Sequence, residues 1–328
     1  MKAVIYTRYG SPDVLRLKMV EKPTPGDNEV LIKVHAATVN RTDCATIRAK
    51  PFFMRLVTGL FKPKKTIPGS EFAGEVEVVG KNVTSFKAGD NVFGFDDDGA
   101  RSQAQYMTIT EDKLASIPVN VTYEQAAASS EGAHYAYNFI KKIDLAKGKT
   151  ALVNGASGAI GSAAVQLLKY YDINVTAVCA TKNVELVKSL AADRVIDYTK
   201  QDFTKDEQEY DFVFDTVGKS SFFKCMRLLK PDGVYISSDL GFLAQNMYLP
   251  FITPFIKFMF GGKKTIFPYP SDIKKTLLLI KKLIELEKFK AVIDRKFTLD
   301  QIIDAYSYVE KGHKTGNVVL TVEHDNDS

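Results

Sequence analysis

Hydrophobic and polar positions change rhythm twice along the chain. Over the first 120 residues, β-branched and apolar residues fall in short runs at 3–6, 29–34 and 75–79, which predict strands. Turn chemistry separates them: Pro23-Thr24-Pro25-Gly26-Asp27-Asn28, Pro68-Gly69 and Ala88-Gly89-Asp90. Near Thr122 the pattern becomes helical, with helices predicted at 123–128 and 134–142. Thr122 and Gln125 have the spacing of a capping box. From 150 to 239, apolar runs at 150–154, 175–178, 194–196, 212–214 and 234–237 alternate with helical patterns at 162–171, 183–190 and 220–229. Pro231-Asp232-Gly233 is expected to stop the last of these helices ahead of its strand. Such alternation predicts a parallel sheet covered on both faces. A lysine-rich amphipathic helix follows at 271–287, with Ile273, Leu277, Ile280 and Ile284 on one side. A terminal strand at 318–322 and the polar tail HDNDS end the chain. The fold class is therefore α/β, a doubly wound parallel sheet joined to a β-rich domain.

Composition narrows the functional classes. A chain of 328 residues with 45% hydrophobic and 25% charged residues is long enough for two globular domains and is not a disordered one. The net charge of +5 is spread out. Lys62, Lys64 and Lys65, the densest early cluster, lack interleaved aromatics, so no nucleic-acid partner is expected. Cys44, Cys179 and Cys225 form no CxxC pair, which fits free thiols in a reducing compartment. No apolar leader follows the first basic residue. The stretch 248–260 is interrupted by Pro250, Pro254 and Lys257 and is too short to span a bilayer, so no membrane partner and a cytoplasmic location are expected.

The sharpest chemical signal is Asn154-Gly155-Ala156-Ser157-Gly158-Ala159-Ile160-Gly161. It follows a predicted strand and opens a predicted helix, the context in which glycines let a backbone approach a pyrophosphate at a helix N-terminus. The spacing is G-x-x-G-x-x-G, and a tight turn alone would also use it. About 20 residues on, NAD sites usually place an acid for the ribose hydroxyls. Here that stretch reads Val178-Cys179-Ala180-Thr181-Lys182-Asn183, with no carboxylate. Thr181 and Lys182, with Tyr198 after the third strand, suit a 2′-phosphate, so NADP(H) is the expected cofactor.

Several segments together resemble the medium-chain dehydrogenase/reductase superfamily, in its zinc-free quinone oxidoreductase-like branch. They are the MKAVIYTRYGSPDVL opening, Val39-Asn40-Arg41-Thr42-Asp43, Pro68-Gly69-Ser70-Glu71-Phe72-Ala73-Gly74 and Ala88-Gly89-Asp90-Asn91-Val92-Phe93-Gly94. The glycine loop, Phe214-Asp215-Thr216-Val217-Gly218 and the segment 310–320 complete the set. The resemblance implies a GroES-like catalytic domain (1–121 and 266–328) and a Rossmann nucleotide-binding domain (122–265). It also implies a homodimer and a small electrophilic acceptor. It further implies that Val217, Gly218 and Asn317 help to bind cofactor, although relatives often carry Lys at the position of Asn317. Asn40 is implied to hydrogen-bond the nicotinamide ribose or the substrate, with Asp43 holding its loop; a turn-forming Asx role for Asp43 weighs equally.

Zinc alcohol dehydrogenases carry a ligating Cys at the position of Asn40 and a His at that of Ser70, so no metal is expected here. His134 reads as a polar residue at a helix start. Lacking a Lewis acid, the chain suits NADPH-dependent reduction of a quinone, enone or related carbonyl. A zinc-free alcohol dehydrogenase, an enoyl reductase and a non-catalytic cofactor-bound protein are the alternatives. No tyrosine lies between Asn40 and Tyr106, which lowers the enoyl-thioester reading. Phe52, Phe53, Phe242 and 248–260 are candidates for an apolar pocket, or for core or subunit packing.

Overall fold

A computed structural model describes residues 1–99, 101–241, 245–253, 255 and 261–324, the side chains of Phe53 and Val57 excepted. Phe242, most of 254–260 and the tail beyond His324 lie outside the described residues. The chain forms two compact units, Met1–Glu131 with Asp272–Ser328, and Gly132–Ser271. The sequence-based divisions at 121/122 and 265/266 come earlier. Helix Tyr123–Ala127 belongs with the first unit because Ala126 and Ala127 pack against Ala36, Ala73 and Val319 of its sheet. The strand Lys264–Ile266, which no sequence pattern announced, extends the parallel sheet of the second unit.

The first unit is built on a seven-stranded sheet. Its spine is Glu29–Val39, paired antiparallel to Glu71–Val79 on one side and to Asn317–Thr321 on the other. The returning strand aligns Val318 with Val39, and Phe72 lies opposite Ala37. These registers bring Asn40, Glu71 and residues 314–317 to one end of neighbouring strands. Apolar side chains of the spine, among them Val30, Ile32, Val34, Ala37 and Val39, pack with Leu299, Ile302, Tyr306 and Val309 of the C-terminal segment. That burial fixes the register, since a one-residue slip would turn each apolar side chain to the opposite face.

In the second unit six parallel strands lie, by chain order, as 3-2-1-4-5-6. They are Thr150–Asn154, Asn174–Cys179, Arg194–Asp197, Tyr210–Asp215, Leu229–Ser237 and Lys264–Ile266. This is the dinucleotide-binding order, with its ligand crevice at the carboxyl ends where strand order reverses. The helix predicted at 220–229 is shorter: Phe222–Cys225 followed by a 3-10 turn, Met226–Leu228. Leu229 already pairs with Tyr210, so Pro231-Asp232-Gly233 lies within the strand and does not precede it. Asp232 takes a positive φ of 61° there and the pairing slips, which is how the strand accommodates a proline. Among the described residues no helix is long and apolar enough to cross a membrane.

Candidate active site

In the second unit the glycine loop joins Thr150–Asn154 to the helix Ala159–Tyr170. Its three glycines do different work. Gly155 has φ +83°, and a Cβ there would lie 2.4 Å from Val217 Cγ1. A Cβ on Gly161 would lie 2.1 Å from the Gly155 carbonyl oxygen, so Gly161 sets how closely helix and loop approach. Gly158 caps the helix, and a Cβ there meets only the Gly155 oxygen at 3.4 Å, ordinary contact. The protein itself therefore does not require glycine at 158, whereas a ligand lying against it would.

The amides of Gly155 and Ala156 are spent on Val178 O, and that of Gly158 on Gly155 O. The donors left for an anion are those of the first helical turn, from Ala159, Ile160 and Gly161, which a helix cannot bond internally. Ser157 Oγ accepts from Asn183 Nδ2 at 2.9 Å, tying the loop to the turn after the next strand. Behind Val217 and Gly218, the buried Asp215 carboxylate gathers five donors: both their amides, the Ser220 amide, Asn154 Nδ2 and the Tyr235 hydroxyl. Val217 and Gly218 thus form a fixed rim at the carboxyl end of the sheet.

At the end of the second strand the structure corrects one premise of the cofactor argument. Thr181 and Lys182 are exposed, and Tyr198 follows the third strand with its amide on Cys179 O, as expected for one shared surface. An acid is nevertheless present. Asp197, last residue of the third strand, accepts from Thr181 Oγ1 at 2.6 Å. The hydroxyls of Thr181 and Thr199 hold its carboxyl below the usual range, so it is charged at neutral pH. Strand pairing supplies this acid (Asp197 lies beside Cys179), and linear spacing from the glycine loop does not reveal it.

The first unit carries a buried polar cluster at the start of helix Arg41–Arg48. Asn40 is its hub. Its Nδ2 donates to Glu71 Oε2 at 2.6 Å and to Glu131 Oε2 at 3.1 Å, and its Oδ1 accepts from Lys314 Nζ at 3.0 Å. Carboxylates on one side and an ammonium on the other leave a single sensible amide orientation. Glu71 also accepts from Thr38 Oγ1 and the Glu131 amide, and Glu131 accepts from Thr42 Oγ1 and Ser70 Oγ. Asp43 takes the Asn40 amide at 2.7 Å, half of a capping box, and so fixes the Asn40 backbone.

Burial and the neighbouring Glu131 push Glu71 up to about 8, and burial raises Glu131 and Asp43 as well. Lys314 is lowered by burial, while Glu131 and Glu71 favour its charged form.

The cluster changes several residue readings. The expectation that Asn40 hydrogen-bonds cofactor or substrate meets a side chain whose two N–H groups are taken and whose Oδ1 keeps a free lone pair. Asn317 is 2% exposed and donates to Ala128 O and Val292 O, turned into the protein. Lys314, three residues earlier, delivers the ammonium. His134 is buried within helix Glu131–Ile140, its Nε2 3.3 Å from Asn138 Nδ2. Phe52 is 70% exposed and lines no core. Glu131 and Lys314 were not singled out from the sequence. A lone acid in the apolar run Ala126–Tyr137 was the one available hint for Glu131; nothing in the linear pattern distinguishes Lys314 from other surface lysines.

Comparison with known proteins gives consistent family assignments. Residues 26–119 match the alcohol dehydrogenase GroES-like domain, and residues 190–320 match a model described as zinc-binding dehydrogenase. The chain is 35% identical over 336 residues to 2-methylene-furan-3-one reductase of Solanum lycopersicum, covering 98% of this chain and 79% of that one. It is 32% identical to the NADPH-dependent alkenal/one oxidoreductase of Arabidopsis thaliana, with the same coverage. Among solved structures, the quinone oxidoreductase from Coxiella burnetii superposes with a TM-score of 0.86 at 26% identity, covering 98% of this chain and 99% of that one. A GroES-like unit, a parallel sheet in dinucleotide-binding order and relatives along nearly the whole length place the chain in the quinone oxidoreductase-like branch of the medium-chain dehydrogenase/reductase superfamily.

Proposed function

We propose that this protein is an NADPH-dependent, zinc-independent reductase of conjugated carbonyl acceptors, enones and quinones, and that it works as a cytoplasmic homodimer. The observation that carries the reading is the commitment of Asn40 to Glu71, Glu131 and Lys314. Where a zinc alcohol dehydrogenase has metal ligands, this chain has an amide, the Ser70 hydroxyl and an ammonium that would repel a cation. Among the described residues, no three His, Cys, Asp or Glu side chains are arranged to hold a metal. Such a residue set offers no metal ligands for turning an alcohol into an alkoxide and suits an acceptor that is already electrophilic. The names of the tomato and Arabidopsis relatives, an exocyclic enone reductase and an alkenal/one oxidoreductase, support the same acceptor class.

The bound nicotinamide would supply the hydride. The residues that fit it are the loop Gly155, Ala156, Ser157, Gly158, Ala159, Ile160 and Gly161, with first-turn amides for the pyrophosphate. Thr181, Lys182 and Tyr198 would meet the adenosine end, with Val217 and Gly218 as the rim. On the GroES-like unit Asn40 Oδ1 keeps a free lone pair and Asp43 fixes the Asn40 backbone, while Asn317 holds Ala128 O and Val292 O. Steady-state NADPH oxidation against enones, quinones and aldehydes, with metal analysis of the same sample, tests the reading. Turnover with enones or quinones and substoichiometric zinc is expected. Stoichiometric zinc with chelator-sensitive alcohol oxidation would overturn it, and light scattering tests the dimer.

A further inference from the structure

The NADPH-dependent enone chemistry leaves one requirement without a residue. As hydride arrives at the β-carbon, negative charge develops on the acceptor's carbonyl oxygen, and no tyrosine follows the Asn40 motif to meet it. Lys314 is built for that task. Its ammonium carries three N–H groups. Asn40 Oδ1 takes one and Gly316 O a second, and the third has no partner among the described residues. Lys314 as a whole residue is half-buried. Its position is set from three directions. The strand register Val318–Val39 delivers it, Asn40 orients it, and Glu131 and Glu71 favour its charged form against burial, which lowers it.

Resting on the reductase reading above, we infer that Lys314 is a catalytic residue, donating its third N–H to the carbonyl oxygen of the acceptor and stabilising the enolate as it forms. In the step itself, the acceptor's β-carbon gains a hydride from the reduced nicotinamide. The C=C π pair moves next to the carbonyl and the C=O π pair ends on oxygen. The nicotinamide is oxidised and the acceptor reduced by two electrons; the enolate then takes a proton at its α-carbon from water. Lys314 loses no proton in this scheme. It supplies a fixed positive charge, and Asn40 and the Glu71–Glu131 pair are its positioning residues.

The alternative role for Lys314 is purely structural, neutralising buried glutamates, and the two roles separate experimentally. Lys314→Met should lower kcat on an enone about 100-fold or more, the usual cost of one lost oxyanion donor. Lys314→Arg should retain part of it, and added ethylamine should partly rescue Lys314→Met. The double variant Lys314→Met with Glu131→Gln removes one buried acid along with the ammonium. It should recover the melting temperature while leaving kcat low. Recovery of kcat together with stability would show a structural lysine and overturn the inference, as would a Lys314→Met enzyme within a few-fold of wild type.

A second readout needs no turnover. 4-Nitrophenol, whose phenolate is yellow, should bind the wild-type holoenzyme as its anion at a pH below its own pKa, and should not ionise on Lys314→Met. Failure to ionise on wild type would also overturn the inference. If wild type ionises the phenol yet reduces no enone, the reductase reading fails while the oxyanion site stands.

Discussion

At the scale of single residues, charge next to the expected 2′-phosphate is balanced and not simply positive. Lys182 favours the phosphate and the ionised Asp197 opposes it, with Lys200 Nζ 3.9 Å from Asp197 Oδ2 to offset the acid. A hydrogen bond to a charged group contributes about 1.5–3 kcal/mol, less where solvent screens it. Lys182→Ala should therefore raise KM for NADPH by roughly tenfold or less, with little change for NADH. Asp197→Asn should do the reverse, lowering KM for NADPH and leaving NADH alone. Kinetics with both cofactors at two salt concentrations check this pair. Equal effects on the two cofactors would place the phosphate elsewhere. The position of Thr181 and Lys182 just past the second strand was readable because a βαβ unit fixes where that strand ends. Asp197 was not, because its proximity depends on which strand pairs beside it.

At the scale of the element, the loop and helix 154–170 separate a glycine that the fold requires, Gly161, from one that it does not, Gly158. Gly158→Val places its Cβ in ordinary contact with the Gly155 oxygen, at φ −79°, and costs only a poor helix cap, about 1 kcal/mol. It should melt near wild type yet bind NADPH about tenfold or more weakly, since the added methyls occupy the space of the pyrophosphate. Gly161→Ala should instead lower stability by about 1–3 kcal/mol, because the Gly155 backbone oxygen 2.1 Å away has to move. Calorimetry for binding and thermal melts for stability read both. A destabilised Gly158→Val with intact affinity would reverse the assignment. The spacing predicted a nucleotide turn, but the division of labour among its glycines came from the helix approach, which spacing does not encode. Likewise the helix at 220–229 was cut short by strand pairing at Leu229, a contact made with a segment 19 residues away.

At the scale of the whole molecule, the buried acids of the GroES-like unit make stability depend on pH. Glu71 is raised to about 8, and Glu131 and Asp43 are raised with it. Between the ordinary carboxyl value near 4.5 and about 8, the folded chain holds protons that the unfolded chain has released. Stability from these groups therefore falls as pH rises through that window. Carboxylates held low, such as Asp206 beside Arg194 and Asp211 beside Lys230, act in the opposite sense but below it. The melting temperature should decline from pH 5 to pH 8. Glu131→Gln, whose amide can still meet Thr42, Asn40 and Ser70, should make the decline shallower. A melting temperature equally steep in both proteins would remove the Glu71–Glu131 repulsion as its cause.

Sequence by itself determined the parts whose signals are local. Apolar period, turn residues and the glycine loop specify a parallel α/β unit and a β-rich unit, because strands, helices and tight turns are chosen by neighbours a few residues apart. The motifs around Asn40, Ser70 and Asp215 specify the family for the same reason. Tertiary structure decided what depends on contact between distant segments. It alone brings Lys314 to Asn40, sets Glu71 and Glu131 on one amide, turns Asn317 inward and places Asp197 beside Thr181. Those arrangements follow from strand order and register. Register is set by burying whole apolar faces, a property of the folded sheet that no short stretch of the chain carries.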